Sequence, residues 1–237
     1  MAGERWVGRP AVSDLPALVR RLVPTPRRNP FAFGYLLVLL GIALFSHVAD
    51  PALVYRLQAF SSTDGHNLLH RTVLPLLLSG LWVAGPVWMP YLWAFAVTVA
   101  PLERRVGGWR AVGVFAAGHI LATLLSQLVV AVAVASGRLG SDALDSLDIG
   151  VSYGVLASLG ALAGLLRAPW RLVALAGAAA VIGHGILADR DLVTGVGHPA
   201  ALLVGISLWR WLRRGGPRSE AFQGREELCE QPAVARA

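Results

Sequence analysis

The sequence contains no lysine and only one cysteine, Cys229, which lies in a polar stretch near the end of the chain. A single thiol excludes a network of intrachain disulfides and a cysteine-rich zinc site. Charged side chains are also scarce, at 15% of all residues, compared with roughly 25% in soluble domains. Because lysine is missing, all 21 basic residues are arginines, a bias that we attribute to codon usage. These shortages argue against a soluble globular protein.

Apolar residues, in contrast, make up 55% of the chain, and the mean hydropathy is +0.59. A helix that crosses a bilayer needs about 20 mostly apolar residues. The sequence therefore predicts an all-α membrane protein, built as a bundle of six transmembrane helices. The six predicted spans are Phe31–Val48, Val87–Ala100 with its flanks, Ala111–Ala135, Ile149–Leu166, Leu172–Ala188 and Val196–Leu212. A shorter apolar piece, Leu74–Ala84, precedes a glycine-proline pair and is predicted to be re-entrant or interfacial.

The distribution of arginine predicts how the bundle is oriented. Counted on alternate sides of the six spans, 17 arginines lie on the side that holds both ends of the chain, and four lie on the other. Cytoplasmic loops are enriched in arginine, so both termini are expected in the cytoplasm. We expect residues 1–30 to be a cytoplasmic segment with an interfacial helix, residues 31–212 to be the membrane domain, and residues 213–237 to be a disordered tail. The first span is expected to be an uncleaved anchor in the plasma membrane of a bacterium.

The net charge of +7 does not indicate a nucleic-acid partner. The arginines form short clusters between apolar runs, whereas a nucleic-acid surface interleaves basic and aromatic residues. An anionic membrane face accounts for the clusters better. The expected partners are thus the lipid bilayer and other membrane proteins. The sequence shows neither a phosphate-binding loop nor a metal-spaced cluster of histidine, cysteine and carboxylate residues, so no cofactor or metal is expected.

Polar side chains inside a membrane span are costly and are often functional. Those in the predicted spans include Ser152, His198, His119 and His184. At 1.5 Å per residue, Ser152 lies roughly 6 Å below the outer boundary at Asp148, and His198 lies roughly 10 Å below Asp191. Ser152 and His198 therefore share the outer third of the membrane. On the alternative interpretation, the serine bonds the carbonyl four residues back, and each histidine makes a packing hydrogen bond between helices.

Small residues repeat every four positions on the spans that carry Ser152 and His198. They are Gly150, Gly154, Gly160 and Gly164 in the fourth span, and Gly197, Ala201 and Gly205 in the sixth. Such repeats let two helix backbones approach closely. If these two faces meet, the Ser152 hydroxyl and the His198 ring come within hydrogen-bond reach. That is the minimum arrangement for a serine nucleophile with its base.

Three motifs resemble the rhomboid family of intramembrane serine proteases, in the family's order and on its spans. They are Glu103-Arg-Arg-Val-Gly107 after the second span, Gly150-Val-Ser-Tyr-Gly154 in the fourth, and Gly197-His-Pro-Ala-Ala201 followed by Gly205 in the sixth. The resemblance implies a six-helix rhomboid-like bundle in which Ser152 is the nucleophile and His198 is the general base. It also implies membrane proteins as substrates. The candidates to support this pair are His119, His184, Tyr153 and Asp148.

The sequence also departs from the family's pattern. Rhomboid proteases have a histidine and an asparagine one turn apart in the second span, which help to stabilise the oxyanion, and residues 74–103 contain neither. Tyr153 replaces the glycine that is expected after the nucleophile, and Leu156 replaces a tyrosine that often stacks on the base. The candidate replacements for the missing donors are backbone amides near the nucleophile and three loop side chains, His66, Asn67 and His70.

Three functions stay open on the sequence alone. The first is a rhomboid-like protease that cleaves membrane proteins near the outer face. The second, favoured by the missing donors of the second span, is an inactive rhomboid-like protein that binds or remodels membrane proteins. The third is a small transporter, suggested by His119, Gln127 and His184, although the chain lacks the paired broken helices of an inverted repeat.

Overall fold

The computed structural model describes residues 23–83, 89–189 and 191–214. Within these residues the chain is helical and has no strand, so the predicted all-α class is confirmed. The helices are α1 (Pro30–Val48), α2 (Pro51–Ser61), α3 (Gly65–Arg71), α4 (Val73–Leu78), α5 (Met89–Val97), α6 (Val99–Val106), α7 (Gly108–Ala135), α8 (Ser152–Leu165), α9 (Ala168–Asp189), α10 (Leu192–Ser207) and α11 (Trp209–Arg214). The predicted interfacial helix and the predicted tail lie outside the described residues, except that Arg213 and Arg214 belong to α11.

Four stretches of the described chain are long and apolar enough to cross a membrane. They are Pro30–Val48, Gly108–Ala135, Ala168–Ala188 and Leu192–Arg214, and they correspond to the predicted first, third, fifth and sixth spans. The predicted second span is divided between α5 and α6 at Thr98. The predicted fourth span, α8, has only 14 helical residues, or roughly 21 Å. Helix α8 is shorter than an ordinary spanning helix, and the predicted second span begins outside the described residues, so the count of six spans stays a prediction.

Helices α7, α8 and α10 form the centre of the bundle and make its most extensive helix contacts. The small residues of α8 and α10 allow this packing, because a Cβ on Gly205 would collide with the Ala157 carbonyl and one on Gly160 with the Leu202 carbonyl. The contacts advance in the same direction along both helices, so α8 and α10 run parallel. Backbones this close gain van der Waals contact, which is a main attraction between helices in a bilayer.

The buried Glu103 joins the second predicted span to the first. Its carboxylate accepts hydrogen bonds from the backbone N–H groups of Phe31 at 2.8 Å and Ala32 at 3.0 Å, in the first turn of α1. Those N–H groups have no partner within their own helix, and the helix dipole favours a negative charge there. Gly107 then adopts a φ of 84°, which glycine tolerates, and α7 begins directly after it. The Glu-x-x-x-Gly motif is thus a helix cap followed by a turn.

Arginine side chains hold the last turn of α8. Arg171 donates to the carbonyls of Ala163 at 3.2 Å and Leu166 at 3.1 Å, and Arg213 donates to the Gly164 carbonyl at 2.9 Å. The last carbonyls of a helix lack partners within it, and cations interact favourably with that end of the dipole. These hydrogen bonds therefore hold the C-terminal end of helix α8 in place.

Residues 61–83 pack against the segment that precedes α8, because Thr63 donates to the Asp148 carbonyl and Gly150 donates to the Ser79 carbonyl. The described part of the predicted re-entrant or interfacial piece, residues 74–83, contains most of α4 and a single 3-10 turn, Ser79–Leu81, in which Ser79 and Gly80 are buried. Trp82 is also buried and donates from Nε1 to the Oγ atom of Ser61 at 2.6 Å. These contacts fix the segment on the protein at the same end of the bundle as the beginning of α8.

Candidate active site

Ser152 and His198 lie side by side at this end of the bundle. Ser152 is the first residue of α8, and His198 lies in the second turn of α10. The Nε2 atom of His198 is 3.0 Å from the Oγ atom of Ser152, and both side chains are partly buried. A hydrogen bond at this distance brings a serine hydroxyl together with a base, which is the arrangement that a serine nucleophile requires.

Local structure determines how each of these residues is presented. Asp191 caps α10, because its carboxylate accepts a hydrogen bond from the Thr194 N–H at 2.8 Å. Gly150 has a φ of 141°, a region that residues with side chains rarely adopt. Its N–H donates to the Ser79 carbonyl at 2.9 Å. The turn that leads into Ser152 therefore needs a glycine two residues earlier.

Tyr153 packs against the base. Its ring centroid lies 5.4 Å from that of His198, with the planes at 79° in an edge-to-face arrangement, a favoured geometry for ring pairs. The Tyr153 hydroxyl donates to the Val193 carbonyl at 3.2 Å, which ties the ring to the first turn of α10. Gly197 makes room for it, because a Cβ at that position would collide with the Tyr153 ring. The tyrosine that departs from the family's pattern thus occupies the space beside the imidazole.

The other two predicted histidines differ in their surroundings. His119 is buried on α7, where its Nε2 atom lies 3.1 Å from the Ser79 Oγ atom, and its ring centroid is 6.4 Å from that of Tyr153. The Tyr153 ring therefore has histidine rings near it from both α7 and α10. His184 is exposed on α9.

The loop residues considered as replacement oxyanion donors are occupied elsewhere or turned outwards. His66 and His70 are exposed and stack on each other with centroids 4.5 Å apart. The Asn67 amide donates to the carbonyls of Ala59 at 2.8 Å and Ser62 at 3.1 Å. All three residues lie in α3, and the Asn67 side chain ties this helix to the chain that precedes it.

Asp148 connects the α7 helix to the loop before α3. Its carboxylate accepts a hydrogen bond from the Gln127 Nε2 atom at 3.0 Å. Its backbone carbonyl accepts from both the N–H and the hydroxyl of Thr63, and its own N–H donates to the Ser62 hydroxyl at 2.9 Å. Because Ser152 follows four residues later, this network also fixes the entry into α8.

Burial of this carboxyl has an electrostatic consequence. Desolvation raises the pKa of Asp148 to about 6, and the nearby Asp191 and Asp64 add to the effect, while hydrogen bonds from Gln127 and Thr63 oppose it. Folding thus disfavours the ionised form. The contribution of Asp148 to the stability of the fold is therefore greatest below pH 3.8, its pKa in the unfolded chain. This contribution is lost as the pH rises towards about 6, its pKa in the folded protein.

We therefore expect Asp148→Asn to raise the melting temperature above pH 6, where it removes a buried charge, and to change it little near pH 4. Rotation of the Gln127 amide lets its unpaired Oε1 atom accept a hydrogen bond from the new asparagine. Melting curves between pH 4 and pH 8 measure this difference. Asp145→Asn, at an exposed position in the same loop, is the control and should leave the pH dependence unchanged. A difference between wild type and Asp148→Asn that does not vary with pH would contradict this assignment.

One face of α7 carries buried polar groups that the sequence analysis only partly identified. His119, Thr123 and Gln127 follow one another at intervals of four residues and are all buried. The Thr123 Oγ1 and Gln127 Oε1 atoms have no hydrogen-bond partner in the described chain. The spacing of four was a signal for this face, but it pointed to a polar stripe without indicating which helix the stripe meets.

Comparison with known proteins identifies the family of this chain. The model of a family described as rhomboid-like protein matches residues 25–218, which is well over half of the chain. A search of curated proteins and a search of solved structures each found no match. This match confirms the resemblance seen in the sequence. The chain belongs to the rhomboid-like protein family and is a multi-pass membrane protein.

Proposed function

We propose that this chain is a rhomboid-like intramembrane serine protease. The observation that carries the proposal is the 3.0 Å contact between the Ser152 Oγ and His198 Nε2 atoms. Ser152 is the nucleophile, His198 is the general base, and the substrates are membrane proteins. The family match supports this assignment, but the chemistry of the site has to carry it, because one fold hosts several activities.

The proposed arrangement in the membrane is a six-span bundle in the bacterial plasma membrane. The membrane domain is 31–212, and the cytoplasm holds both the 1–30 segment and the 213–237 tail. Helix α8 is followed by Arg167, and α10 leads into the arginines of α11. The arginine-rich ends of these parallel helices are thus opposite the ends that carry Ser152 and His198. Arginine is enriched on the cytoplasmic side, which puts cleavage near the outer face.

The reaction proceeds in two halves. The His198 Nε2 atom accepts the hydroxyl proton of Ser152 as its Oγ atom attacks the carbonyl carbon of the scissile bond. The intermediate collapses when the imidazolium gives this proton to the leaving amine, and an acyl ester stays on Ser152. Water then attacks the ester while His198 accepts its proton, and the imidazolium gives that proton to the Ser152 Oγ atom as the carboxylic acid product leaves. Tyr153 keeps the imidazole in position through both halves, because its ring packs on His198.

The start of α8 supplies donors for the oxyanion. The first N–H groups of a helix have no partner within it and carry the positive end of its dipole. The N–H groups of Ser152 and Tyr153 belong to this first turn. A donor to the oxyanion contributes about 10²–10³ in rate. We assign these two amides to that role, since residues 74–103 provide neither a histidine nor an asparagine.

Hydrolysis also requires water inside a largely apolar bundle. The unpaired Thr123 Oγ1 and Gln127 Oε1 atoms lie on the α7 face that leads from Asp148 towards His119. A buried water is held by two to four polar groups of this kind. We propose that this face conducts water from the outer surface to the ester on Ser152.

A fluorophosphonate probe tests the nucleophile, because it reacts covalently with an activated serine and not with an ordinary one. We expect labelling of the wild type and none of Ser152→Ala. Ser158→Ala is the matched control, since Ser158 lies on the same helix and its hydroxyl only donates to the Gly154 carbonyl at 2.8 Å. That variant should be labelled as the wild type is. If folded wild-type protein is not labelled and does not cleave a transmembrane substrate, the protease assignment fails.

The second candidate function is an inactive rhomboid-like protein that binds or remodels membrane proteins. The absence of histidine and asparagine from residues 74–103 favours it, together with the use of the Asn67 amide within its loop. In that case the contact between Ser152 and His198 is a packing hydrogen bond between helices. Binding of a single-span membrane protein in nanodiscs that persists in Ser152→Ala, without probe labelling of the wild type, would support this alternative.

A further inference from the structure

A cavity of about 670 Å³ lies at the arginine-rich end of the bundle, opposite Ser152. It opens beside the chain that enters α1 and the junction between α6 and α7. Its lining includes four arginines, Arg28, Arg104, Arg105 and Arg110, and one acid, Glu103. The Glu103 carboxylate is already hydrogen-bonded to the first turn of α1. Positive charge is therefore in excess within this cavity.

Two of the four arginines of the cavity donate hydrogen bonds to neutral partners in the described part of the chain. Arg104 donates to the Asn29 Oδ1 atom at 2.9 Å, and Arg105 donates to the Pro101 carbonyl at 3.1 Å. Neither acceptor carries a formal charge. Such groups satisfy hydrogen-bonding capacity and leave the positive charge uncompensated, which favours an anionic ligand.

The positive charges of this cavity also lie close enough to repel one another. Arg104 lies beyond the apolar part of the second predicted span. Desolvation lowers the pKa of Arg104, repulsion from Arg105 and Arg28 lowers it further, and only Glu103 opposes the shift. A bound anion would relieve this repulsion, because among the described residues that line the cavity only Glu103 supplies a countercharge.

The junction of α6 and α7 adds backbone donors to the same cavity. Gly107 and Gly108 are part of the lining, and α7 begins at Gly108 without a side-chain cap. The first N–H groups of such a helix bind phosphate groups well when basic side chains surround them. Glycine at both positions leaves the backbone accessible to a ligand.

The neighbouring tryptophan indicates where the ligand comes from. Trp109 also lines the cavity, and its side chain is 90% exposed. Tryptophan is enriched where a membrane protein meets the lipid headgroups. The cytoplasmic leaflet is rich in anionic lipids, and basic cavities on that side bind their headgroups. We infer that this cavity is a binding site for the phosphate-containing headgroup of an anionic phospholipid, independent of the chemistry at Ser152.

Lipid binding to the full-length protein in neutral detergent tests this inference. Native mass spectrometry would compare phosphatidylglycerol with phosphatidylcholine of the same acyl chains. We expect the anionic lipid to bind at least about tenfold more tightly, because each arginine near a headgroup contributes to binding. Arg28→Gln combined with Arg105→Gln should weaken phosphatidylglycerol binding by about tenfold to thirtyfold. The control combines Arg167→Gln with Arg210→Gln, which removes two exposed arginines outside the cavity lining and should change binding less than about twofold.

Three results would overturn the inference. The first is equal binding of both lipids by the wild type. The second is an equal loss in the two double variants, because a diffuse surface charge and not the cavity would then be responsible. The third is displacement of phosphatidylglycerol by inorganic phosphate at the same concentration, which would make free phosphate the ligand. If the cavity variant does not fold, Arg28→Gln alone, at an exposed position before α1, should still weaken binding measurably against Arg167→Gln.

Discussion

Replacing His198 with alanine is expected to lower the rate of cleavage of a membrane-protein substrate by about 10³-fold or more. Without the imidazole 3.0 Å from its Oγ atom, Ser152 has no group to accept its proton, and an ordinary serine hydroxyl is a weak nucleophile near neutral pH. The same variant should lose labelling by the fluorophosphonate probe. Cleavage of a single-span substrate reconstituted with the protein in liposomes, measured under single-turnover conditions, provides the rate.

Two comparisons make this result specific. His184→Ala removes an exposed histidine of α9 and should leave the rate within a few-fold of wild type. The double variant of Ser152 and His198 should be no slower than either single variant, because two residues that act as one unit have non-additive effects. A His198→Ala protein that cleaves as fast as wild type would exclude the proposed base. A multiplicative loss in the double variant would indicate that the two residues act separately.

Replacing Gly205 with alanine is expected to destabilise the protein by about 2–3 kcal/mol and to impair cleavage as well. The added Cβ would collide with the Ala157 carbonyl and would lie 2.8 Å from the Ala161 nitrogen. Both obstacles are backbone atoms of α8, so no side chain can rotate out of the way. Helices α8 and α10 must then separate, and the contact between Ser152 and His198 must lengthen, since these two helices carry the pair.

The matched control is Gly177→Ala, on α9, where an added Cβ meets nothing within 4 Å. This variant should be neutral or stabilised by up to about 1 kcal/mol, because alanine favours a helix more than glycine does. Unfolding in mixed detergent or heat denaturation measures both changes, and the cleavage assay follows the site. Equal stability of Gly205→Ala and Gly177→Ala would contradict the close packing of the α8 and α10 backbones at Gly205.

The contact between Ser152 and His198 is one that the sequence of a membrane bundle can predict. The depth of each residue follows from its distance along the chain to the nearest loop, because a helix rises by a constant amount per residue. Small residues at intervals of four then indicated which faces approach closely. Both properties are local, and together they predicted the neighbours correctly. The catalytic role of the pair stays a prediction until the nucleophile and base are tested.

For His184, the depth of the residue does not predict the direction of its side chain. The sequence predicts this residue near the outer end of the fifth span, at a depth similar to that of the pair, yet its side chain is exposed on α9. Depth depends on the helix rise, whereas the direction in which a side chain points depends on how the helix is rotated against its neighbours. That rotation is decided by packing between segments distant in the sequence, so a single histidine in an apolar run does not indicate its face.

Tyr153 was a departure from the family's pattern in the sequence and is a partner of the base in the structure. The ring reaches His198 because Gly197 leaves space for it and Val193 anchors its hydroxyl. Asp148 is similar, since its raised pKa depends on burial against Thr63 and Gln127, which belong to other parts of the chain. The residues next to a side chain in the sequence do not show which distant groups surround it in the fold.

By itself the sequence determined the helical class, most of the apolar spans, the membership in a rhomboid-like family and the two residues to examine first. Each of these depends on composition, helix periodicity or short motifs, which are properties of neighbouring residues. Only the tertiary structure decided that Glu103 caps α1, that Tyr153 packs on His198, that Asp148 is buried, and that four arginines surround one cavity. Those outcomes depend on contacts between residues far apart in the chain, which form only when the helices pack together.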